Sequence, residues 1–204
     1  MSFDGTSILW RYQGGEHLFP VSELLIKGLH NIENVMAALI PPLCDGCPPD
    51  LAWQAACTFR GLEHRMNLVR VLDGVAWYND SKGTNVGSVV KSLEGLTPPV
   101  TLIAGGKDKG GDYAPLAELI RRKVQHLILI GEASGRIAAT LGSLTHTVRA
   151  PSLEAAVALA HQLTQAGGTV LLSPGCSSFD MFKSYAERGE VFSAAVINLP
   201  GAAP

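Results

Sequence analysis

The sequence has little charge of either sign and few aromatic side chains. Of its 204 residues, 17% are charged and 6% aromatic, and 16 basic against 18 acidic residues leave a formal net charge of -2. No broad electrostatic field is available to hold nucleic acid or an anionic bilayer, so any anion must be gripped locally. No apolar run approaches the ~20 residues that a membrane-spanning helix needs, which argues against membrane insertion. The opening residues 1–15 lack the basic stretch and apolar stretch of a secretory signal, and a cytoplasmic location is expected. Cysteine is scarce too, with four in the chain, and in a reducing compartment Cys57 and Cys176 are expected to stay thiols. Cys44 and Cys47 form a C-x-x-C without a second pair or a following helix start. Bounded by Pro41-Pro42 and Pro48-Pro49, they read as a proline-bounded loop, and no metal site is assigned to them.

Three nucleotide and nucleophile signatures are also missing. In the pattern G-x-x-x-x-G-K-[ST], Thr101 replaces the first glycine and Asp108 follows Lys107; G-x-G-x-x-G fails at the same place. The G-x-S-x-G elbow fails because Phe179 occupies the final glycine position, so a nucleophilic serine is not expected. What remains is a chain that is 47% hydrophobic, ample for a buried core.

From residue 62 onward, short β-branched runs alternate with amphipathic stretches, the pattern of an α/β, Rossmann-like sheet covered by helices. Strands are expected at 68–72 and 75–78, joined by Asp73-Gly74 as a tight leading hairpin, then at 100–104, 127–130, 145–148 and 169–172. Helices are expected at 85–93, 114–123, 135–141 and 153–164, with Ser152 as an N-cap, and as two separate stretches at 180–188 and 191–197. Residues 1–61 differ. They offer strand-like pieces at 8–12 and 18–20 and helices at 31–40 and 49–59, too few strands for a sheet of their own. They read as the tail of a larger domain, with residues 62–204 as the second domain.

In an open parallel sheet, ligands bind beyond the carboxyl ends of the strands. Three such loops carry chemistry. Residues 79–85 combine an anion, hydroxyls, amides and Lys82 beside a helix start, where backbone N–H groups and a point charge make an anion site. As a bare feature, that loop is equally well an N-capped helix start, with Thr84 or Asn85 as the cap. Residues 104–112 are glycine-rich and let backbone approach a ligand; residues 173–180 offer hydroxyls and helix-start amides. His126 and His146 abut strands and read as structural, whereas His30 and His64 stand out by their neighbours, His30-Asn31 and Glu63-His64-Arg65.

Taken in order, HNIEN (30–34), GLEHR (61–65), NDSKGTN (79–85), AGGKDKGGD (104–112) and LLSPGCSSFDMF (171–182) resemble the UDP-N-acetylmuramoylalanine–D-glutamate ligases, the D-glutamate-adding branch of the Mur ligases. The similarity runs over about residues 28–196 and corresponds to the carboxy-terminal portion of that family. Sister Mur ligases and folylpolyglutamate synthases share mainly the first two motifs. The resemblance implies a carboxy-terminal Mur ligase domain preceded by the tail of a central ATP-binding domain. It implies Asn34 at adenine, Arg65 at the nucleotide, Asp80 on the ribose and Lys82 as the catalytic lysine near ATP. Thr84, Lys109 and Ser178 then hold the carboxylates of D-glutamate, with Tyr185 beside that substrate. The implied partners are ATP, D-glutamate and UDP-N-acetylmuramoyl-L-alanine. The P-loop, the UDP-binding domain and the ligands of Mg2+ are expected in an amino-terminal half with no counterpart here, and the chain alone is not expected to ligate. Gly175, Ser177, Met181 and Asn67 depart from residues more usual in the family. Two other readings stay open: a stand-alone module binding a small dicarboxylate or nucleotide, and another amino-acid ligase of the same superfamily.

Overall fold

Runs of Val, Ile and Leu that are apolar on both sides become the centre of a six-stranded sheet in the computed structural model, which describes residues 1–12, 14–26 and 28–201. The chain divides into two units, Met1–Leu62 and Glu63–Pro204, each taken by itself below.

In the first unit, β1 (Ser2–Phe3), β2 (Ser7–Tyr12) and β3 (Gly15–Pro20) form a three-stranded antiparallel sheet. This corrects the expectation that the segment lacks a sheet of its own. The missing strand is only two residues long, below the length at which alternation can be read. It is held by Asp4, whose carboxylate accepts the Thr6 and Ser7 amides, each at 2.8 Å, and so closes the turn into β2.

Helix α1 (Leu29–Cys44) also runs further than expected, straight through Pro41 and Pro42. Two prolines remove two amide donors, yet Val35, Leu39 and Leu43 recur every four residues as one buried stripe, and that packing carries the helix past them. The carbonyls of Pro41 and Pro42 accept from Asp45 and Cys47 at 3.0 and 2.9 Å, so Cys44 ends a helix and does not sit in a proline-bounded loop. With α2 (Pro49–Thr58), these elements enclose Ile8, Trp10, Phe19, Leu24 and Trp53. The Trp53 indole N–H donates to Glu23 at 2.7 Å.

The second unit begins with the hairpin of β4 (Asn67–Leu72) and β5 (Val75–Asn79). Asp73 and Gly74 adopt φ of 50° and 76°, the two positive angles that a two-residue hairpin turn with the right twist requires. There follow α3 (Val86–Glu94), β6 (Val100–Gly105), α4 (Ala117–Lys123), β7 (Val124–Ile130), α5 (Ser134–Leu141), β8 (His146–Arg149), α6 (Leu153–Leu163), β9 (Thr169–Leu172) and α7 (Tyr185–Ile197). Asn85 caps α3 and Ser152 caps α6 through side chains that accept the Ser88 and Ala155 amides. At the other helix ends, Lys123 donates to three carbonyls at the end of α3 and just beyond it (Leu93, Glu94, Leu96), and Arg70 reaches the carbonyls that close α7.

The two helices expected at 180–188 and 191–197 are one, α7, entered through Ser184, whose hydroxyl accepts the Glu187 amide at 3.0 Å. Gly189 does not break it. A Cβ at that position would collide with the His64 imidazole, so glycine is what lets the helix lie against His64.

The sheet order is β4-β5-β9-β6-β7-β8, parallel except at β4. Helices α3, α4 and α5 cover one face over Val89, Leu93, Leu102, Leu127 and Ile137; α6 and α7 cover the other over Trp77, Ile103, Val157, Phe192 and Val196. Neighbouring strands β6 and β9 therefore send their following chains to opposite faces. Their carboxyl ends are the switch point at which such sheets bind ligands.

Candidate functional site

Three loops meet at that switch point because β5, β9 and β6 are successive parallel neighbours. Residues 80–85 follow β5, residues 173–184 follow β9, and residues 106–113 follow β6. They are bonded to one another. The Gly175 amide donates to the Gly83 carbonyl and the Gly105 amide to the Pro174 carbonyl, each at 2.8 Å, and the Lys107 amide donates to the Ser177 carbonyl at 2.9 Å.

Asp80 is the pin of this arrangement. It is 3% exposed, and its Oδ2 accepts the hydroxyls of Ser92 on α3 and Ser173 after β9, both at 2.7 Å. Burial pushes its carboxyl up from the ordinary value, an effect opposed by those hydroxyls, by the Met66 amide and by the charge of Arg65. A Cβ at Gly83 would stand 2.6 Å from the same Oδ2, so this turn needs glycine. Asp80 thus ties three elements together, while Arg65 is exposed on the approach to it.

Lys82 and Tyr185 are in direct contact. The Lys82 ammonium donates to the Tyr185 hydroxyl at 3.2 Å and lies 4.7 Å from the ring centroid. The Lys82 amide donates to the His64 carbonyl at 2.9 Å, and the His64 ring stands edge-on to Tyr185. The His64 of the Glu63-His64-Arg65 triplet therefore supports the site from beneath.

The glycine-rich loop after β6 is built differently. Arg136 of α5 donates to both oxygens of Asp108 at 2.8 Å and to the Gly111 carbonyl at 3.1 Å, holding the Asp108 carboxyl below its usual range. Lys107 pairs with Glu132 at 2.6 Å. Lys109, between these anchors, is exposed and has no ion-pair partner among the described residues. The hydroxyls of Thr84 and Ser178 likewise have no hydrogen-bond partner among the described residues, although Ser178 is only 2% exposed. A cation and two hydroxyls on three cross-linked loops are uncommitted, and two residues after Ser178 the buried Oδ1 of Asp180 is also without a hydrogen-bond partner among the described residues, whereas Asp80, Ser81, Ser173 and Asp108 are bonded to their neighbours.

Of the residues singled out from the sequence, Asp80, Lys82, Thr84, Lys109, Ser178 and Tyr185 stand on this lip or in its wall, with Arg65 on the approach. Asn34 lies on α1 of the first unit, and the His30 side chain falls outside the described residues. Sequence reasoning missed Arg136, Ser92 and above all Arg188. Arg188 sits one helical turn after Tyr185, is 1% exposed, and binds the Ser81 hydroxyl at 3.0 Å, the Ser81 carbonyl at 2.8 Å and the Cys176 carbonyl at 3.2 Å. Charge signals surface in a sequence, so nothing in the pattern marks this arginine as internal; only its i, i+3 spacing from Tyr185 hints that both face one way. Cys176, expected as a buried small residue, is that: its thiol meets the Tyr113 hydroxyl at 3.2 Å, and burial pushes the thiol up.

Among the described residues no group of three or more His, Cys, Asp or Glu converges to hold a metal ion, and no helix is long and apolar enough to cross a membrane.

Comparison with known proteins bears on this geometry. The chain is 69% identical over 201 residues to the UDP-N-acetylmuramoylalanine–D-glutamate ligase of Syntrophotalea carbinolica, covering 98% of this chain and 45% of that protein. It is 60% identical over 194 residues to the enzyme of the same name from Geotalea daltonii, covering 95% and 43%. The chain thus spans less than half the length of the curated relatives it matches. Among solved structures, MurF from Acinetobacter baumannii superposes with a TM-score of 0.70 at 15% identity, over 95% of this chain and 42% of that one. E. coli FolC in complex with ADP does so at 0.67 and 16%, over 95% and 45%. At such identities these two speak for the fold alone. The family described as Mur ligase, glutamate ligase domain, matches residues 64–176, which span the strands of the sheet, the loops after β5 and β6 and the first residues of the loop after β9, and the chain belongs to that family.

Proposed function

We propose that this chain is the amino-acid-holding portion of an ATP-dependent ligase of peptidoglycan biosynthesis that adds D-glutamate to UDP-N-acetylmuramoyl-L-alanine. The observation that carries this reading is the uncommitted trio: Lys109, Thr84 and Ser178 stand on cross-linked loops with no protein partner among the described residues. A dicarboxylate needs a cation with hydroxyl and amide donors arriving from several directions. The high identity to proteins named for D-glutamate addition supports the choice of amino acid.

In this reading, ATP phosphorylates the L-alanyl carboxylate, the D-glutamate amine attacks the acyl phosphate, and the tetrahedral intermediate collapses to amide and phosphate. Lys109, Thr84 and Ser178 fix the carboxylates, Tyr185 flanks the substrate, and the gain is one of orientation. Lys82, held against Tyr185 beside the start of α3, is the cation nearest the place for phosphate. Arg65 and Asn34 serve the nucleotide. Asp80 acts first as the pin of the loops, and its contact with ribose is made by a carboxylate already oriented by Ser92 and Ser173. Residues 1–61 belong with a central ATP-binding domain and residues 62–204 form the carboxy-terminal domain. The phosphate-gripping loop and the Mg2+ ligands lie in parts of the enzyme that this chain does not include, and the setting is cytoplasmic.

The test is titration of the purified chain with D-glutamate, L-glutamate and D-alanine, followed by calorimetry and by amide shifts at Thr84, Lys109 and Ser178. D-glutamate is expected to bind most tightly and Lys109→Met to weaken it. Absence of D-glutamate binding, or equal binding of D-alanine, overturns the site. ATP-dependent amide formation by this chain alone would overturn the division of labour.

A further inference from the structure

Arg188 is a buried cation in contact with no carboxylate among the described residues, the charge of Asp180 acting on it from beyond ion-pair distance. Its three nitrogens are spent on neutral acceptors: the Ser81 hydroxyl and carbonyl and the Cys176 carbonyl. A desolvated charge held this way is expensive, and burial pulls the guanidinium down to about 10. An apolar side chain of the same volume would serve the packing at least as well. The cost therefore asks for a return outside stability.

The surroundings are shaped around that group. Ser184 caps α7 and fixes the rotation of its first turns, so Tyr185 and Arg188 point to one side. The Ser81 hydroxyl, which accepts from Arg188, donates onward to the Tyr185 carbonyl at 2.7 Å. Gly106 has a φ of 135°, and a Cβ there would stand 3.2 Å from Arg188 Nη1. The Ser177 carbonyl is the first obstacle to a side chain there, and the guanidinium passes close behind it. One planar fork binds the loop after β5 and the loop after β9 and runs close to Gly106 at the start of the loop after β6.

The position of its acceptors carries the inference. Ser81 immediately precedes Lys82 and lies three residues before Thr84; Cys176 lies two residues before Ser178. Given the reading of the lip proposed above, we infer that Arg188 is a positioning residue: it never reaches the substrate, but it locks the two loops that carry Lys82, Thr84 and Ser178 at one fixed separation. A point-charge ammonium has no planar fork and cannot bridge both carbonyls in the same geometry.

The experiment compares the wild-type chain with Arg188→Met and Arg188→Lys by residue-resolved amide hydrogen exchange without ligand, and then by D-glutamate titration. In Arg188→Met, exchange is expected to accelerate by at least about tenfold at the lip amides of Gly83, Thr84, Gly175 and Ser178, with the strands β6 and β7 unchanged. Arg188→Lys falls between. D-glutamate affinity declines in the same order, while Ser81→Ala, which removes one of the three acceptors of Arg188 together with the bond to the Tyr185 carbonyl, shows a smaller loss.

Lip exchange at the wild-type rate in folded Arg188→Met overturns the inference. So does an acceleration spread evenly over the strands, because that signals general instability. If Arg188→Met does not fold, the same two outcomes in Arg188→Lys decide. Since the exchange measurement needs no ligand, failure of the wild-type chain to bind D-glutamate strikes the proposed function and leaves this test standing.

Discussion

The two halves of the lip are made on opposite plans. The loops after β5 and β9 are internal structure: Asp80, Ser81, Ser173, Ser177 and Ser178 are buried, and Asp80, Ser81 and Ser173 spend their side chains on one another, on Ser92, on Arg188 and on backbone. The loop after β6 is surface, with Lys109 and Gly110 exposed and the loop held through Arg136 of α5 and Glu132 of the turn that precedes α5. The first half offers buried hydroxyls; the second offers a long cation on an exposed segment. The proposed dicarboxylate site would gain from both, because preorganised donors cost little entropy to use and a long lysine side chain can reach a second carboxylate.

That contrast is broken most severely at the hinge between the halves. Gly106→Ala is expected to lower the stability of the second unit by at least about 3 kcal/mol in urea unfolding, since a Cβ there meets the Ser177 carbonyl at a φ that side chains avoid. A loss under 1 kcal/mol would mean that the loops separate easily. Next comes the pin. Ser173→Ala withdraws one donor from a buried carboxylate and should cost about 2 kcal/mol. Lys109→Met should leave the unfolding curve within about 0.5 kcal/mol of wild type yet weaken D-glutamate by about tenfold.

Asp80→Asn gives a smaller effect whose sign is the result. Burial raises the Asp80 pKa above 3.8, so the cost of its charge is absent below that value and sets in as pH climbs through the folded pKa. The asparagine variant does not titrate. The stability difference, variant minus wild type, should therefore rise with pH across that window and then level; a flat or falling difference would refute the assignment. Least of all, Gly111→Ala, where a Cβ meets nothing within 4 Å, should shift stability by no more than about 0.5 kcal/mol.

The parallel sheet could be read ahead of the structure because its strands are buried on both faces, and long apolar β-branched runs such as 100–104 have no other stable home. Asp73-Gly74 and the Ser152 cap were equally plain, since turn chemistry and capping are local. Where long-range packing decides, the sequence misled. Gly189 looked like a gap between two helices because its reason, the His64 ring, lies 125 residues away. Pro41 and Pro42 looked like a stop because the stripe that overrides them acts through the core. The candidate site divides in the same way. The loops that carry Lys82, Thr84, Lys109 and Ser178 follow strand ends and could be nominated, the roles of Thr84, Lys109 and Ser178 coming from the family resemblance, whereas Arg188 works from inside a helix and could not be nominated.

One topological detail carries a consequence for biogenesis. The last strand of the second unit, β9, is also its keystone, slotted between β5 and β6. Until residues 169–172 have left the ribosome, the β4–β5 hairpin and the strands β6 to β8 lack the strand that joins them in the finished sheet. The lip that the proposed site requires can therefore be completed only when residues 169–188 emerge, so a nascent chain stalled before that point cannot present it.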